Sequence, residues 1–326
     1  NNGEYGIRSR GNGTYTIQKN KIISNESVGI HGIYATHILD NNVISNNKGG
    51  IEISQGGNYT ISDNTIYKNN NESDGSAIDP YGGSDQKAWS TPISILRNVI
   101  SLNTSTNSAI LTFQPDSGDP DFIVNNNNFI NNSSDYDLKN YRSSSLNDID
   151  AENNYWGSTD NTYIQGRIYD WNDNGSYGII DYNPYLNAPD TDAPISPPVN
   201  VTKAVSGSDV VLSWTANSES DVAGYKLYYG NPTGYSYDNS VDLGNVTTYT
   251  VSGGDISTEY AITAYDSSLD GTDDQVDGNE SWFSVSNEVK VTLSTSATTI
   301  AEPSGSATIT ATLDTGIYIY NYIISY

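Results

Sequence analysis

The sequence has 326 residues, with 39 acidic side chains against 14 Lys and Arg, which gives a formal net charge of −25 at pH 7. A surface this acidic repels nucleic acids and anionic membranes, so neither is expected as a partner. The absence of cysteine excludes disulfides, thiol catalysis and cysteine-based zinc sites. No apolar run approaches the ~18 residues that a membrane-spanning helix needs, so no membrane insertion is expected.

A nine-residue phrase, I/L-x-x-N-x-I-x-x-N, recurs at 17–25, 39–47 and 61–69, with copies about 22 residues apart. Repeats of this length are the units of solenoids, whose inward side chains become buried only when neighbouring units stack. Short apolar strands that begin with a small residue, such as Gly29-Ile30 and Gly50-Ile51, lie between the copies. The pattern predicts a parallel β-helix with Ile and Val ladders inside and Asn ladders at its corners. Disorder is the alternative for an Asn-rich tract, and the fixed register of Ile with Asn disfavours it.

After the third copy the spacing lengthens. The next match, at 98–103, follows an excess of about 12 residues within 70–91, and such insertions form loops on one face of a solenoid, often the binding face. Two further coils are expected, with corner asparagines at Asn127 or Asn128 and then at Asn153. Because the chain begins in mid-coil without a capping segment, we expect it to be part of a longer protein.

The chain divides into a solenoid and a second β-rich part. Aromatic residues and a possible short helix around 162–170 are expected to cover the end of the solenoid core. The second part shows alternating strands separated by turn-rich gaps, as in a β-sandwich. The predicted boundaries are 1–188 for the solenoid, with 154–188 as its C-terminal cap, 189–196 for a linker, 197–293 for the sandwich and 294–326 for a truncated β module.

These residues carry resemblances to known families. The repeated Asn/Ile/Asn pattern and the N-N-Y-W-G run at 153–157 resemble right-handed parallel β-helix repeat proteins of the pectate-lyase-like superfamily. Residues 197–293 resemble a fibronectin type III domain, with Trp214 as its core tryptophan and Tyr260 as its tyrosine corner. Residues 294–326 resemble the start of a Calx-β-like or other Ig-like module. The resemblances imply an all-β chain: a right-handed parallel β-helix solenoid plus a fibronectin type III β-sandwich.

Relatives of the β-helix family that act on polysaccharides include lyases, epimerases and hydrolases. A uronate lyase needs a Lys or Arg base beside carboxylates that hold Ca²⁺. The candidate catalytic residues near the insertion are Asp79, Asp85, Lys87 and Arg97. Lys48 and Lys68 lie on earlier coils, while Tyr81 and Trp89 could stack on sugar rings. No clustered Asp-Asp pair is apparent on consecutive coils, so an ordinary surface loop is the favoured interpretation and catalysis the alternative.

Six carboxylates are concentrated within 266–280, on a loop after a predicted strand of the sandwich. The candidate Ca²⁺ ligands are Asp270, Asp273, Asp274, Asp277 and Glu280. Hard oxygen ligands on a Gly-containing loop suit Ca²⁺, which would relieve their mutual repulsion, although the spacing is not that of an EF-hand. A solvated acidic loop is the alternative. His31 and His37 lack further zinc ligands, so a structural or surface role is expected for both.

Together these observations predict a secreted or cell-surface protein that contacts glycans or serves as an adhesive or structural module. A polysaccharide or cell-surface glycan is the expected partner, and Ca²⁺ is the only cofactor suggested. The missing catalytic signature favours a non-enzymatic role. The alternative is a secreted polysaccharide lyase or related enzyme with its site on the β-helix groove. Such an enzyme is expected to bring Lys or Arg and at least two carboxylates together near residues 79–97.

Overall fold

A computed structural model describes most of the chain. The described residues are 5–54, 57–71, 76–81, 92–105, 108, 121–145, 147–289, 291–295, 306–313 and 320–325. These ranges contain many short β-strands and one six-residue helix. None of their helices is long and apolar enough to cross a bilayer.

The first half is a succession of short strands. In chain order they are β1 (Ile7–Arg10), β2 (Thr14–Gln18), β3 (Lys21–Ile23), β4 (Val28–Ile33), β5 (Thr36–Asp40), β6 (Val43–Ser45), β7 (Gly49–Ser54), β8 (Asn58–Ser62), β9 (Thr65–Tyr67), β10 (Asn70–Asn71), β11 (Ile78–Tyr81), β12 (Ile93–Leu96), β13 (Val99–Ser101), β14 (Thr104–Ser105), β15 (Phe122–Asn125), β16 (Asn128–Ile130), β17 (Leu138–Lys139), β18 (Ile149–Asp150), β19 (Ile168–Tyr169) and β20 (Ile180–Asp181). Between β18 and β19 lies the helix α1 (Asn161–Gly166), which starts where Asp160 accepts the Thr162 N–H at 2.9 Å. It covers only the first part of the helix expected around 162–170.

Most of these strands form three parallel sheets that wind around one core, while β10 with β14 and β17 with β19 form two further parallel pairs. Sheet A contains β1, β4, β7 and β11; sheet B contains β2, β5, β8, β12, β15, β18 and β20; sheet C contains β3, β6, β9, β13 and β16. Each strand pairs in register with the strand one coil away. Equivalent residues of successive coils therefore lie side by side. The core ladder of sheet C, for example, is Ile22, Ile44, Ile66, Ile100 and Phe129. The predicted parallel solenoid with an apolar ladder inside is therefore confirmed.

Two buried ladders of asparagine side chains follow the corners on either side of sheet C. One contains Asn20, Asn42, Asn64, Asn98, Asn127 and Asn154, and the other contains Asn25, Asn47, Asn69, Asn103 and Asn132. In a typical rung, the Asn42 backbone N–H and Nδ2 both donate to Oδ1 of Asn64, at 2.9 and 3.0 Å. The Asn42 Nδ2 also donates to the Ile17 carbonyl at 2.8 Å. Each inner amide thus uses both its donor and acceptor atoms within the core.

One detail of the predicted corners is wrong. The last rung of the first ladder is Asn154 rather than Asn153, because the Asn127 N–H donates to Asn154 Oδ1 at 2.8 Å. The left-handed backbone angle belongs to the residue before each rung, as at Asn41 (φ 53°) and Asn153 (φ 56°). Turning the chain at the preceding residue leaves the ladder asparagine free to direct its amide inward.

The second half forms two antiparallel layers. Its strands are β21 (Val199–Ser206), β22 (Asp209–Thr215), β23 (Val222–Tyr229), β24 (Asn239–Gly244), β25 (Thr248–Val251), β26 (Tyr260–Asp266), β27 (Ser284–Val285) and β28 (Asn287–Glu288). One sheet has the order β25-β22-β21-β28 and the other β24-β23-β26-β27, with only the β21–β28 pair parallel. Both contribute to one buried cluster that includes Trp214 and Tyr260. We call this part the two-sheet unit; its membership of the fibronectin type III family stays a prediction.

The two-sheet unit packs against the outer face of sheet C. The buried side chains of this contact are Ile23, Val43, Tyr67, Ala261, Val276, Trp282 and Phe283. The hydroxyls of Tyr67 and Ser284 lie 3.0 Å apart, and Lys19 Nζ lies 2.6 Å from Asp277 Oδ1 at the edge. One face of the solenoid is therefore covered by the second half of the same chain.

The segment predicted as a linker contacts both parts. Asn128 exchanges two hydrogen bonds with the backbone of Asp190, at 2.8 and 2.9 Å, and the Ile195 N–H donates to the Gly278 carbonyl at 2.9 Å. Beyond it, β29 (Val291–Thr295), β30 (Ser306–Leu313) and β31 (Tyr320–Ser325) form a three-stranded antiparallel sheet. The Calx-β-like resemblance of that last segment stays a prediction.

Candidate functional site

Four polar side chains are aligned across sheet A. Arg8 pairs in register with His31, His31 with Glu52, and Glu52 with Asp79, so each lies one coil from the next. Side chains alternate between the two faces of a strand. Because the preceding isoleucines, such as Ile51, belong to the core, these four side chains lie on the outer face. We call Arg8, His31, Glu52 and Asp79 the polar ladder.

In sheet A, a small residue in each coil allows the neighbouring coils to pack closely. A Cβ added at Gly29 would lie 2.9 Å from the Gly50 carbonyl oxygen and from Cγ2 of Ile44, closer than such contacts permit. The same position holds Gly50 in the next coil and Ala77 in the one after. Each small residue is followed by an inward isoleucine and then by a residue of the polar ladder, so the local repeat sets the register of the site.

The carboxyl groups of the polar ladder hold protons more strongly than usual. Burial and the nearby carboxylate of Glu52 raise the pKa of Asp79 to about 7. Burial also raises the pKa of Glu52, although Arg8 opposes this effect. Two neighbouring carboxyls that cannot both ionise easily form a pair with one proton available near neutral pH. Such a pair can donate and accept protons at neutral pH.

His31 contributes a neutral imidazole. Burial, with Arg8 and His37 nearby, lowers the pKa of His31 to about 4. Its Nε2 lies 3.4 Å from Oε1 of Glu52. Because the imidazole is neutral at pH 7, we treat this contact as a polar contact rather than an ion pair. The Tyr5 ring packs against the imidazole at 4.8 Å between centroids and partly covers this end of the ladder.

Replacing Asp79 with Asn is expected to stabilise the protein by about 2 kcal/mol at pH 8 and to have almost no effect at pH 4. The folded-state pKa of Asp79 is raised, so the folded protein binds the proton more tightly and loses stability as pH rises toward and through about 7. Asparagine cannot ionise and avoids this loss. The free energy of unfolding in urea at both pH values measures the effect. The exposed Asp150, replaced in the same way, is the control and is expected to show no such pH-dependent gain.

Of the residues predicted for catalysis, only Asp79 belongs to the polar ladder. Arg97 lies between β12 and β13, where its Nε and Nη2 donate to both carboxylate oxygens of Asp63 at 2.8 and 2.7 Å. Lys68 lies over the ring of Tyr67 at 5.1 Å from its centroid. The backbone of Tyr81 ends β11 opposite Ser54, and Asp85, Lys87 and Trp89 lie outside the described residues.

His37 is part of the core. Its ring stacks between Tyr15 and Tyr59, with centroid distances of 5.4 and 4.6 Å. Its Nε2 lies 2.6 Å from the Ser9 hydroxyl, and its Nδ1 lies 3.2 Å from the Ala35 carbonyl oxygen. These contacts give His37 a structural role, whereas His31 faces the polar ladder.

The carboxylates predicted to bind Ca²⁺ contact different partners within the protein. Glu280 accepts hydrogen bonds from Lys226, Tyr228 and Thr263 at 2.6, 2.6 and 2.7 Å. Asp274 accepts hydrogen bonds from the N–H groups of Asp270 and Gly271, and Asp270 accepts one from the Thr272 N–H. Asp277 forms an ion pair with Lys19. The described part of the chain contains no group of three or more acidic, His or Cys side chains arranged to hold a metal. Ca²⁺ binding by Asp270, Asp273, Asp274, Asp277 and Glu280 stays a prediction.

Comparison with protein families matches residues 1–156 to the right-handed beta helix region. The described residues within this match form the stacked parallel sheets of a β-helix, and the match is to the right-handed type. The match covers just under half of the chain, and the stacked parallel sheets A, B and C agree with it. No curated protein matches the sequence. The polar ladder lies within the matched residues, on the outer face of one β-helix sheet.

Sequence reasoning did not find Arg8 and Glu52. The signal is nevertheless present, since each ladder residue directly follows the small residue and isoleucine that open a strand of sheet A. Glu52 and Asp79 are paired in register on consecutive coils, a Glu–Asp pair that the expectation about Asp-Asp pairs did not cover. They are 27 positions apart because the coil between them is longer than the 22-residue repeat.

Proposed function

We propose that this protein contacts carbohydrate chains through the outer face of sheet A, with the polar ladder at the contact. The proposal is supported by the alignment of Arg8, His31, Glu52 and Asp79 on one β-helix face. Stacked parallel strands repeat every ~4.8 Å, which gives an extended ligand a regular series of polar groups. Sheet C cannot serve in this way where the two-sheet unit covers it. An extracellular or cell-surface location belongs to the same proposal.

A second candidate function is acid–base catalysis on a polysaccharide. One observation favours it: Asp79 has a pKa of about 7 and lies in register with Glu52. Adjacent carboxyls whose environments favour different protonation states can serve as acid and base. Proton transfer is most efficient when the pKa of the group lies close to the working pH. Arg8, two coils before Glu52, supplies a positive charge that could orient an acidic sugar.

The test combines retention of intact polymer with detection of cleavage. Purified protein is incubated with polygalacturonate, alginate and a neutral galactan, each with Ca²⁺ and with EDTA. Pull-down measures binding, and absorbance of unsaturated uronate measures lyase activity. We expect retention of an acidic polymer that falls about tenfold in Arg8→Gln, with Arg97→Gln as the control outside sheet A. If no polymer is retained or cleaved, or if both variants lose binding equally, the polar ladder is not a carbohydrate contact.

Binding of an acidic polymer is expected to weaken as pH rises from 6 to 8. Asp79 loses its proton through this range because its pKa is about 7, and the resulting negative charge repels a polyanion. In Asp79→Asn, the affinity is expected to be nearly independent of pH in the same interval. Measuring the pH dependence of retention for both proteins decides this point. Identical slopes would mean that Asp79 does not control the contact. In the same assay, cleavage by the wild type that Asp79→Asn abolishes would favour the second candidate.

A further inference from the structure

A small pocket lies outside sheet A, at the C-terminal end of the β-helix. Its volume is about 220 Å³, and it is lined by Gln165, Ile168, Asp170, Asn172, Asp173 and Tyr182. Pockets for drug-sized ligands measure roughly 300–1,000 Å³. The space is therefore suited to a single ring-sized group rather than to a long segment of polymer.

The floor of this cap pocket is a buried carboxylate held by its own loop. Asp170 is 2% exposed, and its Oδ1 accepts the backbone N–H and the side-chain Nδ2 of Asn172 at 2.8 and 3.1 Å. Its Oδ2 accepts the Ile180 N–H at 3.0 Å, and its own N–H donates to Oδ2 of Asp173 at 3.1 Å. These bonds fix the loop after β19, so the pocket is organised before a ligand enters.

Acceptor atoms remain at the rim. Gln165 Nε2 donates to the Tyr182 hydroxyl at 3.1 Å, which itself donates to Asn161 Oδ1 at 3.1 Å. Among the described residues, the side-chain hydrogen bonds of Gln165 and Asp173 use Nε2 and Oδ2. Gln165 Oε1 and Asp173 Oδ1 are therefore placed to accept hydrogen bonds from ligand hydroxyl groups.

Aromatic surface adjoins these acceptors. Tyr182 lines the pocket, and its ring stacks on that of Tyr185 with a centroid distance of 6.3 Å and an angle of 23° between the ring planes. Aromatic faces beside hydroxyl-binding acceptors suit a sugar, whose ring has an apolar face and a polar edge.

We propose that the cap pocket binds one neutral sugar residue, with Gln165 and Asp173 accepting its hydroxyl hydrogens and Tyr182 contacting its apolar face. The lining includes two carboxylates and neither Lys nor Arg. It therefore selects against uronates and sulfated sugars, which carry negative charge. This site stands apart from the polar ladder in residues and in ligand charge, so either can fail without the other.

The test uses the complete chain in EDTA and four methyl glycosides as probes: those of glucose, galactose, mannose and fucose. Binding is followed by saturation-transfer NMR and by titration up to about 20 mM, because a ligand of one ring that gains about 0.3 kcal/mol per non-hydrogen atom has a dissociation constant of about 1 mM. At least one glycoside is expected to bind the wild type. Gln165→Ala and Asp173→Asn are each expected to weaken that binding about tenfold. The latter keeps a side-chain oxygen for the Asp170 N–H, which limits disturbance of the loop.

Tyr163→Ala provides the matched control, because Tyr163 is 45% exposed on α1 beside this region but does not line the pocket. Its affinity for the bound glycoside is expected to equal that of the wild type. Three results would each overturn the proposal: no glycoside binds the wild type, Gln165→Ala and Asp173→Asn bind as tightly as Tyr163→Ala, or methyl glucuronide binds as tightly as its neutral analogue. Loss of polymer retention in Arg8→Gln has no bearing on these outcomes.

Discussion

Replacing Arg167 with Met is expected to destabilise the β-helix by about 3 kcal/mol at pH 8. Arg167 lies near the C-terminal end of the β-helix core. Its Nε and Nη2 donate to the two carboxylate oxygens of Asp137 at 2.9 and 2.8 Å. Nη1 and Nη2 also donate to the carbonyls of Ser134 and Asn132. Methionine fills much of the volume but leaves a buried carboxylate and two carbonyls without these partners.

Arg97→Met is the matched control for this prediction. Arg97 makes the same two-bond contact with Asp63, but the side chains are 38% and 20% exposed, against 15% and 4% for Arg167 and Asp137. Exposed ion pairs contribute about 0–1 kcal/mol because water replaces the lost partner. Urea unfolding of both variants measures the two losses. Equal losses would show that burial does not determine the strength of these contacts.

The loss in Arg167→Met is also expected to shrink as pH falls. Burial raises the pKa of Asp137, and Arg167 opposes this effect, so removing Arg167 raises the pKa further. A carboxyl with a raised folded-state pKa binds its proton more tightly in the folded protein, and stability therefore increases as pH falls toward the unfolded value of about 4. The difference between wild type and variant is expected to be smaller at pH 5 than at pH 8. A constant difference would mean that Asp137 remains charged in the variant.

The periodic part of this fold is predictable because one physical requirement repeats. An isoleucine that recurs every 22 residues can be buried only by stacking, and its register with asparagine places the amides at the corners. The error at Asn153 has a simple cause: the sequence contains two adjacent asparagines there, and only the geometry shows that the first turns the chain and the second joins the ladder. Sequence spacing resolves coils but not neighbouring corner residues.

The polar ladder was harder to predict because its members belong to different coils. Asp79 drew attention through its position near an insertion and His31 as one of two histidines, whereas Glu52 had no unusual neighbours in sequence. Strand register, rather than sequence distance, brings these carboxylates together. The contact between sheet C and the two-sheet unit was not predictable for a related reason: residues such as Tyr67 and Ser284 are 217 positions apart, and no repeat links them.

Replacing Asn64 with Ala is expected to reduce the free energy of unfolding by about 3 kcal/mol. Asn64 is fully buried at the centre of the first asparagine ladder. Its Oδ1 accepts from the backbone N–H and Nδ2 of Asn42, and its Nδ2 donates to the Leu39 carbonyl at 2.9 Å and to Asn98 Oδ1 at 2.9 Å. Alanine leaves these groups without partners inside the core.

The control is Gln18→Ala, which removes an amide from the same β-helix at the surface. Gln18 is exposed, and its Nε2 donates only to Asp40 Oδ2 at 3.0 Å among the described contacts, so water can replace this bond. A change of no more than about 0.5 kcal/mol is expected there. Urea unfolding of both variants compares a buried rung with an exposed amide. Similar losses would mean that the ladder contributes little beyond ordinary surface hydrogen bonds.

Asn64→Asp separates the donor role of the ladder from its acceptor role. An aspartate retains both oxygens and can still accept from Asn42, but an ionised carboxylate cannot donate to the Leu39 carbonyl or to Asn98 Oδ1. At pH 8 it therefore places a negative charge against two acceptors in the core, and we expect a larger loss than in Asn64→Ala. Near pH 4 protonation restores one donor, and the loss is expected to fall below that of alanine. If the aspartate variant is as stable as the wild type at pH 8, acceptance alone is sufficient, and the strict use of asparagine along this corner has another cause.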